Sequence, residues 1–375
     1  MAAPTAPRKN FITRDHRYVY LGGSFIALLG LGMFYSAPSP YSFIPAQSVF
    51  GTALAAICWF FLGVSAMALL VKWAYWNNYS STIMKRPLIV RVSRYLSYLD
   101  AAACALLVLD RFILKLAYIV NTAIHAESNP TETLSTMVYM AYNQRSLFAI
   151  GISYTVRLAL FGTAIAFVLA LLMVFLRIQE PDKRDNDFVK FLKIVANKFS
   201  RFYIFVIRGT PMMVQAMVIY WGYAFATGGS TLPLIPSGII IVSINTGAYM
   251  AEIVRGGIIS IDKGQFEGAS SIGMSHVQAM LHVILPQVLR NILPSVSNEF
   301  VINIKDTSVL NVIGVTELYY FAGIIKRQSF QTFQTYLVVC VIYFILTFTV
   351  TRLLRFVESK LDGDENYTIF GSQSD

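Results

Sequence analysis

Long apolar stretches dominate this sequence and constrain its fold more than any other feature. They occupy residues 18–36, 49–71, 96–120, 151–176, 202–226, 234–254, 288–312 and 336–357. A helix of about 20 apolar residues crosses a hydrocarbon core roughly 30 Å thick, where every backbone polar group must be satisfied internally. Charged residues make up only 13% of the chain, about half of their usual share in soluble domains. The sequence therefore predicts an all-α integral membrane protein with eight transmembrane helices.

The basic residues are distributed between the apolar stretches in a way that predicts topology. The excess of Lys and Arg falls in the segments 8–17, 72–94 and 177–201. Among the intervening loops, residues 37–48 and 227–233 contain neither residue type, residues 121–150 contain only Arg145, and residues 313–335 contain only Lys326 and Arg327. Because loops rich in Lys and Arg stay on the cytoplasmic side, we predict that both termini and the segment 252–286 are cytoplasmic. The first apolar run also resembles a secretory signal peptide, but its removal would break this alternation.

Neither the net charge nor the motif content indicates a different class of protein. The formal net charge of +10 arises in the loops, and no basic face with interleaved aromatic residues predicts a nucleic-acid partner. Cys58, Cys104 and Cys340 lie in apolar runs and lack metal-ligand spacing. No GxxxxGK[ST], HExxH or GxSxG pattern occurs. We therefore predict no catalytic residue, no metal and no cofactor in this chain.

One segment between the sixth and seventh stretches, residues 252–286, is too polar to cross a membrane but rich in helix signals. Its signals are a capping box of Asp262 and Gln265, a helix end at Gly273, a second cap at Ser275 and a second end at Pro286. They predict two short cytoplasmic helices with a glycine turn between them. Such a stiff element is typical of a docking site for a partner protein, and a structured connector is the alternative.

The same segment resembles the EAA motif of ABC-importer permeases, in which Glu-Ala-Ala is followed at fixed distances by Gly and by Ile-x-Leu-Pro. The matching residues are Glu267, Gly268, Ala269, Gly273, Val283, Leu285 and Pro286. Gly268 and Val283 depart from the motif by small changes in size. The resemblance implies that residues 255–286 form a coupling loop seated in a cleft of an ATP-hydrolysing subunit. Glu267 would anchor the loop, Gly273 would allow its turn, and ATP would be used by the partner chain.

Three further motifs resemble those of the polar amino-acid permeases in this family. They are Arg208-Gly209-Thr210-Pro211 followed by Gln215, Lys305-Asp306-Thr307-Ser308, and Glu252-Ile253-Val254-Arg255-Gly256. The resemblance implies a type I importer core of five spans at residues 151–361. A three-span extension, residues 1–150, precedes this core, and a cytoplasmic tail, residues 362–375, follows it.

The resemblance also implies partners and a location. The implied partners are ABC ATPase subunits, a second permease subunit of the same or a sister sequence, and an extracytoplasmic amino-acid-binding protein. The implied location is the cytoplasmic (inner) membrane of a bacterium. Which amino acid is carried and what the three-span extension does are left open.

Polar residues within the predicted core spans are candidates for a substrate path, because polar groups inside a bilayer are costly. These candidates are Asn245, Thr246, Tyr249, Asn303, Lys305 and Asp306. The alternative for them is hydrogen bonding between helices that fixes the packing of the core. The alternative function for the whole chain is a secondary transporter driven by an ion gradient, for which inverted repeats are typical. The sequence shows no internal repeat. An intramembrane enzyme or scaffold, in which the loop is only a connector, is a further alternative.

Overall fold

The fold is helical throughout the part of the chain that the computed structural model describes, residues 16–45, 48–75, 86–179, 181–182 and 185–361. These residues contain no β-strand, which confirms the predicted all-α class for them. The chain divides into two compact units, Met1–Tyr139 and Met140–Asp375. The predicted tail at 362–375 and the basic residues Arg8, Lys9 and Arg14 lie outside the described residues.

The first unit is built on the apolar helices of the N-terminal extension. Its elements are α1 (His16–Phe34), α2 (Val49–Ala74), α3 (Pro87–Val108), a π-helical turn (Leu109–Ile113) and α4 (Leu114–Ile124). Helix α1 packs against both α2 and α3. Gly30 lies between Cys58 and Cys104, where a Cβ atom would stand only 3.0 Å from the Cys58 Sγ atom. The absence of a side chain therefore lets α1 approach both neighbours closely. Helix α5 (Thr133–Asn143) contains the boundary between the two units.

A buried carboxylate ties the loop after α1 to the π-helical turn of the first unit. Asp110 accepts hydrogen bonds from the backbone N–H groups of Phe43 (2.7 Å) and Ile44 (3.2 Å) and from the Ser42 hydroxyl (2.5 Å). The Arg111 Nε atom lies 3.5 Å from the same carboxylate, and both charged side chains are fully buried. This helix therefore turns its charges inward, as a membrane environment favours.

The second unit contains the region that resembles a permease core. Its elements are α6 (Arg145–Arg177), α7 (Asp187–Arg208), α8 (Met212–Ala226), α9 (Leu234–Ser260), α10 (Lys263–Ser271), α11 (His276–Ala279), a π-helical turn (Met280–Ile284), α12 (Leu285–Asp306), a 3₁₀ segment (Thr307–Ile313), α13 (Leu318–Ser329) and α14 (Thr332–Leu361). The long helices α6 and α9 lie side by side, with Gly162 against Val242. Buried apolar residues of α6, α7, α9 and α12 share one core, which positions the end of α9.

Five helical runs within the described residues are long and apolar enough to cross a bilayer. They are Val49–Ala74, Arg145–Arg177, Leu234–Ser260, His276–Ile313 and Thr332–Lys360. Helices α7 and α8 make a sixth candidate only as a pair, because the chain bends by 112° between them. The predicted span at 202–226 is thus broken by a bend, and both this span and the count of eight spans stay predictions. The segment 313–335, expected to be a loop, contains α13.

Candidate functional site

The segment between α9 and α12 folds into two capped helices joined by a glycine turn. The Asp262 side chain accepts a hydrogen bond from the Gly264 N–H (2.6 Å) and caps α10. Gly273 follows α10 with a φ of +84°, a left-handed conformation that glycine adopts without steric cost. Ser275 and Gln278 form a capping box at the start of α11. The predicted caps at Asp262 and Ser275 and the glycine turn are therefore confirmed.

The predicted role of Gln265 in this loop is wrong. Its side chain does not complete a capping box with Asp262, because its amide oxygen accepts a hydrogen bond from the Gln287 side chain (3.2 Å). The same Gln287 nitrogen donates to the Val283 carbonyl (2.8 Å). Gln265 therefore links α10 to the beginning of α12, which braces the two arms of the loop against each other.

The predicted helix end at Pro286 is also wrong. Helix α11, the π-helical turn, α12 and the 3₁₀ segment form one helical run from His276 to Ile313. The Leu285 N–H bonds to the Met280 carbonyl five residues earlier, and Pro286 then lies in the first turn of α12. Proline is tolerated in a first turn because no N–H is needed there, and the π turn accommodates the change of register. The loop is thus joined to α12 without a break.

The outer face of this loop exposes both the matched motif residues and large apolar side chains. Glu267 and Gly268 are exposed, whereas Ala269 is buried. On either side of Gly273, Ile272 is 75% exposed and Val277 is 58% exposed. Our sequence reading did not single out these two residues, although apolar side chains in a polar loop were the available signal. We call Ile272 and Val277 the apolar patch, a feature typical of surfaces that a partner covers.

The bend between α7 and α8 is built by the residues that resemble the second-span motif. Pro211 precedes α8 and has no N–H, so the last carbonyls of α7 need other partners. The Gln215 side-chain amide donates to the carbonyls of Ile207 (2.8 Å) and Thr210 (2.9 Å). The Gln215 oxygen accepts a hydrogen bond from Asn245 Nδ2 (2.9 Å). The motif therefore satisfies the broken end of α7 and fastens the bend to α9.

Three of the predicted path residues form buried hydrogen bonds between helices. Asn245 bonds to Gln215, as described above. Thr246 Oγ1 donates to Asn303 Oδ1 (2.8 Å), and Asn303 Nδ2 donates to Thr163 Oγ1 (2.7 Å). These bonds join α6, α9 and α12. Protein groups therefore satisfy Asn245, Thr246 and Asn303, which is the arrangement expected for packing between helices.

The other three predicted path residues are exposed on the second unit. Tyr249 is 37% exposed, and the Arg208 guanidinium carbon lies 5.3 Å from the centre of its ring. Lys305 and Asp306 end α12 and are both exposed. These positions offer a cation, a carboxylate and an aromatic ring at surfaces of membrane helices.

A fully buried carboxylate that the sequence reading missed caps α13. Glu317 Oε1 accepts a hydrogen bond from the Tyr320 N–H (2.7 Å), and its Oε2 accepts from the Tyr319 N–H (2.8 Å) and the Tyr343 hydroxyl (2.9 Å). The cap therefore joins α13 to α14. The signal in the sequence is weak, because Ser, Thr, Asp and Asn are the residues usually found at this position.

The fold and the loop together define a polytopic helical membrane protein with a structured, exposed connector between two membrane helices. The family model described as "Binding-protein-dependent transport system inner membrane component" matches residues 190–363, all within the second unit. The chain is 36% identical over 237 residues to the L-cystine transport system permease protein TcyB of Bacillus subtilis (strain 168), covering 62% of this chain and 95% of that protein.

Two further comparisons agree. The chain is 38% identical over 167 residues to the glutamine transport system permease protein GlnP of Escherichia coli (strain K12), covering 44% of this chain and 76% of that protein. A solved structure titled "Crystal structure of an amino acid ABC transporter with histidines" is 35% identical, with a TM-score of 0.52 over 62% of this chain and 99% of that chain. The chain therefore belongs to the family of binding-protein-dependent transport system inner membrane components.

Proposed function

We propose that this chain is the permease subunit of an ATP-driven amino-acid importer. Its family, the names of its relatives and its likeness to a solved amino-acid ABC transporter support the proposal. Relatives of similar identity are named for different cargoes, L-cystine and glutamine. Likeness between permeases therefore indicates the class of cargo rather than the individual compound. We propose polar amino acids as that class, with the individual amino acid selected by a binding protein.

The observation that carries this proposal is the rigid, exposed loop around Gly273. Its caps hold the loop in one shape, so docking orders few additional torsions. Ile272 is 75% exposed and Val277 is 58% exposed, so burial of the area that each still exposes would contribute roughly 1–2 kcal/mol. We propose that an ABC ATPase subunit covers this surface. The residues assigned to ATPase coupling are Glu267, Gly268, Ala269, Gly273, Leu285 and Pro286.

The remaining partners follow from the same proposal. ATP is bound and hydrolysed by the ATPase subunits, and this chain supplies no cofactor site. A second permease subunit, either a copy of this chain or a sister chain, completes the path across the membrane. A binding protein delivers the amino acid from the opposite side. Both termini and the coupling loop face the cytoplasm, in agreement with the distribution of Lys and Arg.

We assign the substrate path to the exposed polar residues of the second unit. An amino acid carries a carboxylate and an ammonium group, so cationic and anionic side chains on the path can each meet one of them. Lys305, Asp306 and Tyr249 are exposed and suit direct contact. Asn245, Thr246 and Asn303 support the path by hydrogen bonds that hold its helices together.

The continuous helix from His276 to Ile313 suggests how loop and path communicate. With a rise of about 1.5 Å per residue, roughly 40 Å of helix separates the end of α11 from Lys305. When the ATPase pair closes, the loop and α12 would move together because no break separates them. This motion would expose the path alternately to the two sides of the membrane, which is an alternating-access mechanism.

Reconstitution tests the proposal. The purified chain with its co-purifying ATPase is placed in proteoliposomes, and candidate amino-acid-binding proteins are screened with radiolabelled amino acids. We expect uptake that requires internal ATP and one binding protein, and we expect Glu267→Ala to lower it. The control is Asp187→Ala, which removes another exposed carboxylate, 3.9 Å from Lys190 and outside the loop.

Two results would contradict the proposal. The first is purification without any ATPase subunit, with unchanged transport by Glu267→Ala. The second is uptake without ATP under an imposed proton or sodium gradient, which would favour the secondary transporter. A loss of uptake in both Glu267→Ala and the Asp187→Ala control would remove the special role assigned to Glu267.

A further inference from the structure

One carboxylate near the end of α9 is held by two arginines from different positions. Glu252 Oε2 accepts hydrogen bonds from Arg255 Nε (2.9 Å) and Nη2 (2.7 Å), which lie one turn later on the same helix. Glu252 Oε1 accepts a hydrogen bond from Arg177 Nη1, on the last residue of α6. The Glu252 side chain is 19% exposed, and that of Arg177 is 23% exposed. Partial burial strengthens these charged hydrogen bonds relative to a surface pair.

The same end of α6 is fastened to α7. Asn197 Nδ2 donates to the Arg177 carbonyl, and the Ser200 hydroxyl donates to the Met173 carbonyl (2.7 Å). These contacts give side-chain donors to two carbonyls in the last two turns of α6, close to the end of the helix, where few backbone N–H donors remain available. Helix α6 is therefore bonded to α7 through its backbone and to α9 through the Arg177 side chain.

Glu252 also lies close to the start of the coupling loop. Helix α9 continues only from Glu252 to Ser260, and α10 begins at Lys263. In this last stretch Gly257 meets α12, since a Cβ atom there would stand 2.4 Å from Ile292 Cγ2. The end of α9 is thus packed against α12 and bonded to α6, so a displacement of the loop is passed to both helices.

We propose that Arg177 is a positioning residue for coupling, because its bond to Glu252 makes α6 and α7 move with α9 and the coupling loop. This inference rests on the proposed function. Arg177 crosses between helices, whereas Arg255 reaches Glu252 from the same helix. Of the two arginine contacts, only that of Arg177 joins two different helices. Helices α6 and α9 also share a packed core, so loss of the Arg177 contact leaves the ATPase docked but loosens the end of α9 from the end of α6.

The experiment compares the two arginines in the reconstituted complex with ATPase and binding protein. The variants are Arg177→Met, Arg255→Met and Arg177→Lys. The measured quantity is the number of amino acids imported per ATP hydrolysed, together with ATP hydrolysis in the absence of binding protein. We expect Arg177→Met to lower the import ratio by at least about fivefold. Arg255→Met should stay within about twofold of wild type, because its contact is local to one helix. Arg177→Lys should retain coupling, because Arg177 uses a single nitrogen that lysine can replace.

Each outcome has a defined meaning. Equal import ratios in Arg177→Met and wild type overturn the inference, and so do equal losses in the Met variants of Arg177 and Arg255. If Arg177→Met does not assemble, Glu252→Met replaces it, because methionine has a similar side-chain volume and no oxygen to accept the Arg177 hydrogen bond. Wild-type coupling in Glu252→Met then overturns the inference. A wild-type complex without ATP-driven uptake contradicts the proposed function itself, which separates the two failures.

Discussion

Substitutions of Gly273 distinguish two possible requirements of the coupling loop, a left-handed backbone conformation and the absence of a side chain. This glycine has a φ of +84°, and a Cβ atom there would meet no protein atom within 4 Å. Any cost within this chain therefore comes from the left-handed backbone alone. That conformation costs most L-residues about 1–2 kcal/mol, and Asn tolerates it better. We therefore expect the full conformational free-energy cost in Gly273→Val and only a small part of it in Gly273→Asn.

The magnitude follows from a two-state view of the loop. A cost of about 1–2 kcal/mol lowers the population of the native loop relative to other conformations by a factor of about 5 to 30. If only the native loop docks, the apparent affinity for the ATPase subunit falls by up to that factor, and by all of it when other conformations dominate the free loop. The assay titrates purified ATPase subunit onto proteoliposomes that contain each variant and measures initial amino-acid uptake. We expect the titration midpoint to rise by up to about 5- to 30-fold in Gly273→Val and by less than about twofold in Gly273→Asn.

Gly222→Ala is the matched control, because Gly222 is an exposed helical glycine of α8 with open space around it and lies outside the coupling loop. Alanine should stabilise that helix by about 0.5–1 kcal/mol and leave the titration unchanged. Equal losses in the Asn and Val variants of Gly273 would indicate that the partner surface excludes any side chain. An unchanged midpoint in Gly273→Val would refute the claim that docking requires this turn.

Three further predictions concern parts of the second unit away from the turn. Asn303→Leu removes two interhelical hydrogen bonds worth about 0.6 kcal/mol each, so the melting temperature in detergent should fall. The preference for one cargo over another should stay unchanged, and an altered preference would instead place Asn303 on the substrate path. Glu317→Ala leaves its buried hydrogen-bond donors without an acceptor, which costs about 1–3 kcal/mol per group. The melting temperature of Glu317→Ala should therefore fall further than that of Tyr343→Phe. Equal melting temperatures of the two variants would contradict this. The hydrogen bond from Lys193 (2.7 Å) holds the pKa of the Asp185 carboxyl below its usual range. The stabilisation from this hydrogen bond is present above the pKa that Asp185 has in the unfolded chain, and it is lost as the pH falls through the lowered pKa of the folded protein. The melting temperature of Asp185→Asn should therefore fall less below about pH 4 than that of wild type. Parallel profiles of melting temperature against pH would contradict this.

The capped geometry of the coupling loop was predictable because its causes are local. Asp262 and Ser275 cap their helices within three residues, and Gly273 stands where the chain needs a positive φ. Such signals act through neighbouring backbone atoms and do not depend on the rest of the fold. Two predictions in the same loop were wrong because their causes are not local. Gln265 bonds to a partner distant in sequence, Gln287, and a π-helical change of register continues the helix past Pro286.

The bend at Pro211 was not predictable from apolar length alone. Hydropathy counts residues 202–226 as one span, because the residues on both sides of the break are equally apolar. The break is stable because Gln215 satisfies the freed carbonyls of α7 and bonds to Asn245. Which groups Gln215 and Asn245 bond to depends on tertiary contacts. Glu317 was missed for the same reason, since one of its three donors, Tyr343, is 26 residues away in sequence.

Two carboxylates on either side of the α9 end differ in burial and pairing, which supports the different tasks that we propose for them. Glu252 is mostly buried and accepts hydrogen bonds from two arginines of its own chain. Glu267 is exposed, and within the described residues its carboxylate forms no ion pair. A charge already satisfied internally gains little from an outside partner, whereas an exposed charge beside the apolar patch can pair on docking as the patch becomes buried. The resemblance to a known motif pointed to both glutamates, but only the structure separates the one that holds helices together from the one that is free to meet another protein.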